Sequence, residues 1–425
     1  MTKRIARDDR RDARPGSLEA TLSGELLRIR RANRWRFFRT LTGPQGEYVR
    51  VRDGARGAER ELLMLASNNY LGLAHHPQVR EAVAAASREE GAGAGASRHV
   101  SGSMRLHEAL ERRLAAFVGK EAAVLFGSGY LANVGILSAL VGPGDAVFSD
   151  ELNHASIIDG CRLSGAKKEI YRHADVEDLR RRLARSRARR KLVVSEAVFS
   201  MGGDLAPLRA IVEAAERYEA WTMIDEAHAL GVFGRGGRGL VDQLALTSRV
   251  DVLMGTLGKA LGACGAFAAG SRRLIDFLIN RCRTLLFTTA LPPGVCAGVM
   301  AALDLIGAEP ERIERLHALA DRLRSALREA GLDLFGSASP ILPIRIGGEA
   351  DTVAVAETLW RDGLFIVAIR PPTVPPATSR IRVTAMATHA EKDLDRAASL
   401  IISACRRQSG SRIGRTARGR LSTRS

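Results

Sequence analysis

Along the middle of the chain, short apolar runs alternate with stretches in which apolar residues recur every three or four positions. The apolar runs cover 122–126, 146–149, 169–171, 191–196, 221–225, 250–254 and 263–269. Such runs are what strands buried on both faces present, and the periodic stretches 106–118, 155–164, 176–187 and 205–218 predict helices. The alternation predicts an α/β domain, a mostly parallel seven-stranded sheet covered by helices. Its ligands belong at the carboxyl ends of the strands.

After Leu291-Pro292-Pro293 the pattern turns helical as far as Ala330. Strands at 341–346, 365–368 and 380–384 then mix with helices at 352–362 and 390–405, predicting a smaller α+β C-terminal domain. Ahead of the sheet, leucines at helical spacing among arginines predict an amphipathic helix over 17–39, followed by hairpin-like runs at 47–52 and 62–66. The expected organisation is a disordered basic start over 1–17, an N-terminal helix and lead-in segment over 18–66, a large domain over 67–293, a small domain over 294–405, and a disordered basic tail over 406–425.

Composition narrows the class. The 425 residues are 46% hydrophobic and 26% charged, which suits a soluble protein with a large core, and the 5% of aromatics argues against a surface of stacked rings. The uncharged stretch 122–144 is long enough to span a bilayer. Its Ser128, Asn133, glycines and Pro143 make it strand, turn and buried helix instead, so no membrane association is expected. Cys161, Cys264, Cys282, Cys296 and Cys405 are odd in number and lack a C-x-x-C spacing. That excludes a disulfide framework and fits a reducing, cytoplasmic setting, as does a start without an apolar signal core.

The net charge of +17 is concentrated in the two ends and in the block 180–191. On the helix expected there, the block is either a solvated face or an attraction for an acidic partner, such as a phosphate-bearing acyl carrier or nucleic acid.

The polar residues at the predicted strand ends carry the chemistry. Gly127-Ser128-Gly129-Tyr130 opens a helix, where free amides make an anion site. Other strand ends lead to Asn153-His154, to Ser200 within 198–204, to Asp225 and His228, and to Thr256 and Lys259. Each has a bland reading as a turn, a capping histidine or a snorkelling lysine. Together they offer an anion cradle, a flat imidazole, a carboxylate and a lysine among apolar neighbours, an amine that is easier to deprotonate than one in water. Pyridoxal phosphate needs those four: Lys259 for its aldehyde, Asp225 for its ring nitrogen, His154 over its ring and the 128–130 turn for its phosphate.

Rival motifs fall short. Asp225-Glu226-Ala227-His228 spells a helicase box, but no G-x-x-x-x-G-K-S/T loop precedes it, so nucleic acid is not expected. Gly234 to Gly239 fits G-x-G-x-x-G without an opening strand, and His75, His76 and His228 lack partners spaced for a metal. A non-catalytic subunit predicts loss of the lysine, and Lys259 is present.

The segments 68–73, 126–133, 153–156, 196–204, 225–228, 256–260 and 288–293 closely resemble the α-oxoamine synthases, a branch of the fold-type-I pyridoxal phosphate (PLP) transferases. The matches keep their order from about residue 18 to about 405. Ile369-Arg370-Pro371-Pro372-Thr373-Val374-Pro375 is most similar to the biotin-pathway branch. Glycine C-acetyltransferase, 5-aminolaevulinate synthase and serine palmitoyltransferase differ most there.

The resemblance implies a PLP-dependent acyltransferase that condenses L-alanine with a pimeloyl thioester, on acyl carrier protein or CoA. The alternative is a sister activity with another acyl group. It also implies a homodimer with shared active sites, in which Thr288 and Thr289 reach the phosphate across the interface. Asn68 and Arg380 would hold the amino-acid carboxylate, and Ser200, helped by His228, the cofactor's phenolic oxygen. Thr256 would bind the phosphate, and Arg370 and Thr373 would line the acyl side. Where the family commonly reads E-G-V-F-S-M-D-G-D, this chain has Ala197 and Gly202.

Overall fold

The computed structural model describes residues 16–52 and 57–421, with side chains as far as Gln408. The expected disorder at 1–15 and beyond 421 lies outside the described residues. A helix at Leu18–Arg31 leads to strands β1 (Thr40–Leu41), β2 (Tyr48–Arg52) and β3 (Glu59–Met64). The large sheet follows as β4 (Ala122–Phe126), β5 (Ala146–Asp150), β6 (Lys167–Tyr171), β7 (Lys191–Glu196), β8 (Trp221–Asp225), β9 (Val252–Thr256) and β10 (Ala266–Gly270).

Its order is β4-β10-β9-β8-β7-β5-β6. β10 runs antiparallel between β4 and β9, and the other neighbours pair in parallel, so β4 points the same way as the rest. Alternation along each strand feeds two cores. Val193, Ile224 and Leu253 point to one face, and Val194, Met223 and Met254 to the other. Each such side chain contributes about 1.5–3 kcal/mol by leaving water, which makes this sheet the rigid platform of the molecule.

The small domain is built from β11 (Ile341–Gly347), β12 (Leu364–Phe365), β13 (Val367–Ile369) and β14 (Ser379–Thr384), backed by helices Glu311–Glu329, Glu349–Arg361 and Glu391–Leu421. β11, β14 and β13 form an antiparallel sheet, while β12 pairs in parallel with β3. The last helix therefore enters the stretch expected to be a disordered tail.

The helix expected to reach residue 39 stops at Arg31. Asn33 takes a left-handed φ of 54°, and the following arginines are drawn onto the small domain. Arg34 pairs with Glu349 at 2.9 Å, Arg36 Nη2 donates to Thr373 Oγ1 at 2.8 Å, and Arg39 lies 4.3 Å over the Trp360 ring. Half of the basic residues in the block 180–191 form ion pairs within the chain. Arg180 meets Glu177, Arg181 meets Asp178, Arg182 meets Asp178 and Glu169, and Arg189 meets Asp145. It also sits before β7, at the amino end of the sheet, away from the strand ends that carry the candidate site. Among the described residues, no helix is long and apolar enough to cross a membrane.

Candidate active site

The strand ends that the sequence singles out meet at one edge. Asp225, last residue of β8 and 4% exposed, accepts a 2.8 Å hydrogen bond from Asn133 Nδ2 and another, also 2.8 Å, from the Ala227 amide. Two donors fix its carboxylate in one orientation. Asn133 reaches it from the helix Gly129–Leu140 and also donates to Ser156 Oγ at 2.9 Å. Ser156 Oγ lies 2.7 Å from His154 Nδ1, so one chain of contacts joins the carboxylate to the imidazole. His154 caps the helix Ala155–Leu163 and keeps its ring exposed, leaving a flat face open.

Lys259 follows β9, its Nζ 3.4 Å from Thr256 Oγ1. Burial lowers its pKa below the usual lysine value, although the charges of Asp225 and Glu196 pull the other way. The lysine turn is closed by Gly262, whose amide donates to Lys259 O at 2.9 Å. Gly262 has a φ of 66°, and a Cβ there would meet the Ala74 amide nitrogen at 2.4 Å. Gly262→Ala is therefore expected to destabilise the protein by about 2–4 kcal/mol and weaken cofactor retention, read from thermal melts with and without added cofactor.

The Ser128 turn presses on the same place, since a Cβ at Gly129 would lie 2.7 Å from Thr256 Cγ2. Ser128 Oγ accepts from the Leu131 amide at 3.2 Å, and the first amides of that helix are available to an anion. Tyr130 contributes only its backbone here, because its side chain turns outward to Asp159. His228 is buried, its Nδ1 2.6 Å from Tyr70 Oη. Burial holds its pKa well below the ordinary value, helped by the positive charges of Lys259 and Arg382.

The geometry sets Asn68 beside a different arginine from the one expected. Asn68 is expected beside Arg380, yet Asn68 Oδ1 accepts from Arg382 Nη2 at 3.1 Å. Arg382 Nε also donates to Ser200 O at 2.8 Å. Arg380, two residues earlier on the same strand face, donates instead to Met201 O and Thr378 and stacks 3.7 Å over the Phe335 ring. The reason is register. Thr384 Oγ1 donates to Ser67 O at 2.7 Å, which sets Asn68 opposite the arginine nearer to Thr384.

Arg370 donates to the carbonyls of Asn33 and Trp35, and Thr373 receives Arg36, so both lie where the N-terminal segment crosses the small domain. Thr288 and Thr289 line an open concavity of about 520 Å³ with Ser97, His99, Val100 and Phe287. Tyr70, Asn133, Ser156, Glu196 and Arg382 are the site residues that sequence reasoning did not assign.

The donor set fits pyridoxal phosphate. A buried amine, an oriented carboxylate, an open imidazole face and a helix-start cradle converge, and Asn133 Oδ1 and Glu196 Oε1 are buried there without a protein partner. Residues 60–401 match the family described as aminotransferase class I and II. The chain belongs to the aminotransferase class I and II family. Among its relatives in this family, an 8-amino-7-oxononanoate synthase of Anaeromyxobacter dehalogenans (strain 2CP-1) is 55% identical over 83% of this chain and 87% of its own length. One of Geobacter sulfurreducens is 49% identical over 89% and 96%.

The fold agrees with this family. A serine palmitoyltransferase from S. paucimobilis, solved with PLP and myriocin bound, superposes with a TM-score of 0.87 at 30% identity, over 92% of this chain and 99% of that one. An 8-amino-7-oxononanoate synthase from Francisella tularensis, 24% identical, shares the fold with a TM-score of 0.72 over 82% and 99%. The cofactor of this aminotransferase-family chain is pyridoxal 5'-phosphate.

Proposed function

We propose that the chain performs the 8-amino-7-oxononanoate synthase reaction, the decarboxylative condensation of L-alanine with a pimeloyl thioester. The observation that carries this reading is 46–55% identity to synthases of that name over most of the chain. The chain is a PLP-dependent C-acyltransferase, and serine palmitoyltransferase likeness stands at 30% identity, where a shared fold outlasts a shared substrate.

Pyridoxal phosphate supplies an aldehyde for the amino group and a ring that draws electrons from Cα. Lys259 would hold the aldehyde, and its Nζ would take the Cα proton of the bound alanine. Burial lowers the Lys259 pKa from the usual lysine value, which favours the neutral amine that can accept a proton. Asp225 would keep the cofactor's ring nitrogen protonated, and the bonds from Asn133 and Ala227 hold its carboxylate in one orientation for that task. His154 would stack on the ring, while the Ser128 turn and Thr256 would receive the phosphate. Ser200 and His228 serve the phenolic oxygen. Arg382 and Asn68 hold the carboxylate of alanine until it leaves as carbon dioxide, after the new carbon–carbon bond has formed and the thiol has departed. Arg370 and Thr373 face the acyl chain.

We also infer a homodimer. Phe287 and Val100 are 71% and 79% exposed beside Thr288 and Thr289, a patch that a second copy would cover. Five cysteines without a C-x-x-C spacing support placing the reaction in a reducing, cytoplasmic setting.

The deciding experiment pairs alanine, glycine and serine with pimeloyl, acetyl, succinyl and palmitoyl thioesters, each on CoA and on acyl carrier protein. Alanine with a pimeloyl thioester is expected to exceed every other pairing in kcat/KM by at least roughly tenfold, about 1.4 kcal/mol of transition-state binding. A preference for glycine with acetyl-CoA would overturn this assignment while leaving the family intact.

A further inference from the structure

We propose that His173 is a positioning residue, clamping the 198–204 loop to the turn that carries His154 and thereby setting the grip of Arg382 on the substrate carboxylate. This rests on the reading that Arg382 and Asn68 hold that carboxylate.

The clamp is visible in the contacts. His173 follows β6, its Nδ1 3.0 Å from Asp150 Oδ1 and its Nε2 2.9 Å from Asp204 Oδ2. A ring with a carboxylate oxygen at each nitrogen donates from both, which requires the cation. Asp150 ends β5, also accepts the Leu152 and Ala174 amides at 2.9 and 2.8 Å, and leads directly into Asn153 and His154. Asp204 ends the loop. Its carbonyl accepts the Phe199 amide at 3.0 Å, the Gly203 amide donates to Phe199 O at 2.8 Å, and Val198 bridges Leu205. The Phe199 ring stands edge-on to the imidazole with centroids 4.4 Å apart.

The loop is held from its other side by the small domain, through Arg382 on Ser200 O and Arg380 on Met201 O. One cation of the large domain and two of the small domain thus fix the same seven residues. Gly202 takes part by having no side chain. A Cβ there would lie 1.9 Å from Asp204 Oδ1, so the departure from the family's usual aspartate lets Asp204 turn toward His173.

Without the imidazolium, Asp150 and Asp204 are left facing each other with no cation between them, and their repulsion displaces the loop. The Ser200 carbonyl then shifts relative to Arg382, weakening carboxylate binding while leaving Lys259 and Asp225 in place. Burial opposes the charged ring, but the hydrogen bonds to Asp150 and Asp204 outweigh it and push the pKa up to about 10. The charged groups around it are Asp150, Asp204, Glu151 at its backbone amide, and Arg380 acting on Asp204.

The test uses the full-length holoenzyme with His173→Ala, and His173→Gln as the variant that keeps one donor should the alanine variant not fold. Hydrogen exchange of the 198–205 amides is expected to speed up roughly tenfold, and KM for alanine to rise roughly tenfold with kcat within about threefold. The alanine concentration giving half the change in cofactor absorbance rises by the same factor. The folded pKa of His173 is raised, so the thermal stabilisation of wild type over the variant is full below about pH 6.5. It shrinks as pH climbs and is gone above about 10.

Unchanged loop exchange, or a fall in kcat with KM unmoved, overturns the clamp. If the wild-type absorbance does not respond to alanine, the substrate assignment fails instead, and loop exchange alone then decides the clamp.

Discussion

Replacing Lys259 by alanine is expected to lower kcat by roughly 10⁴-fold or more and to abolish the visible absorbance of the bound cofactor. The size of the loss follows from two roles on one nitrogen. On the proposed mechanism the amine that would hold the aldehyde is also the base at Cα, so one substitution removes both roles. The nearest titratable groups work against substitution. Burial and neighbouring positive charge lower the His228 pKa, making it a weaker proton acceptor, and burial raises Glu196 well above the ordinary carboxyl range, reinforced by the charge of Asp225. Product assays and an absorbance spectrum check the result, and retained turnover would overturn the role given to Lys259.

The second large effect separates two arginines. Arg382→Lys is expected to raise KM for alanine by roughly 10–100-fold, the loss of a forked, charge-assisted grip. Arg380→Lys should change it by no more than roughly threefold, because Arg380 is engaged with Met201 O, Thr378 and the Phe335 ring instead of Asn68. Steady-state kinetics on both variants decide the matter. Equal effects would mean that register on β14 does not select the substrate arginine.

Those two arginines also mark where sequence reading runs out. They sit two apart on one strand face, so alternation cannot choose between them, and the choice is made by Thr384 bonding to Ser67 from more than 300 residues away. Six of the seven large-sheet strands were legible as apolar runs with mostly buried residues, whereas the edge strand β6 is largely exposed; all seven have ends within about three residues of those read from the pattern. The helix Pro77–Glu90 was not singled out. It is rich in alanine, buries only Val79 and Ala86 fully, and so presents little periodic contrast. Lys259, Asp225 and His154 stood out because each lies at or just past the end of a strand. Tyr70, Asn133 and Glu196 did not, since what qualifies them is a partner brought by the fold: His228 for Tyr70, Asp225 for Asn133, and a buried place beside Asp225 and Lys259 for Glu196.

The parallel pairing of β3 with β12 joins Leu63 to Leu364, so the small domain draws one of its strands from the opposite end of the chain. During synthesis the large sheet is complete by Gly270, whereas that closure waits for residues made about a hundred positions later. Contacts so remote in sequence form late. A nascent chain therefore has its lysine and aspartate on a completed sheet before Arg382 has been made.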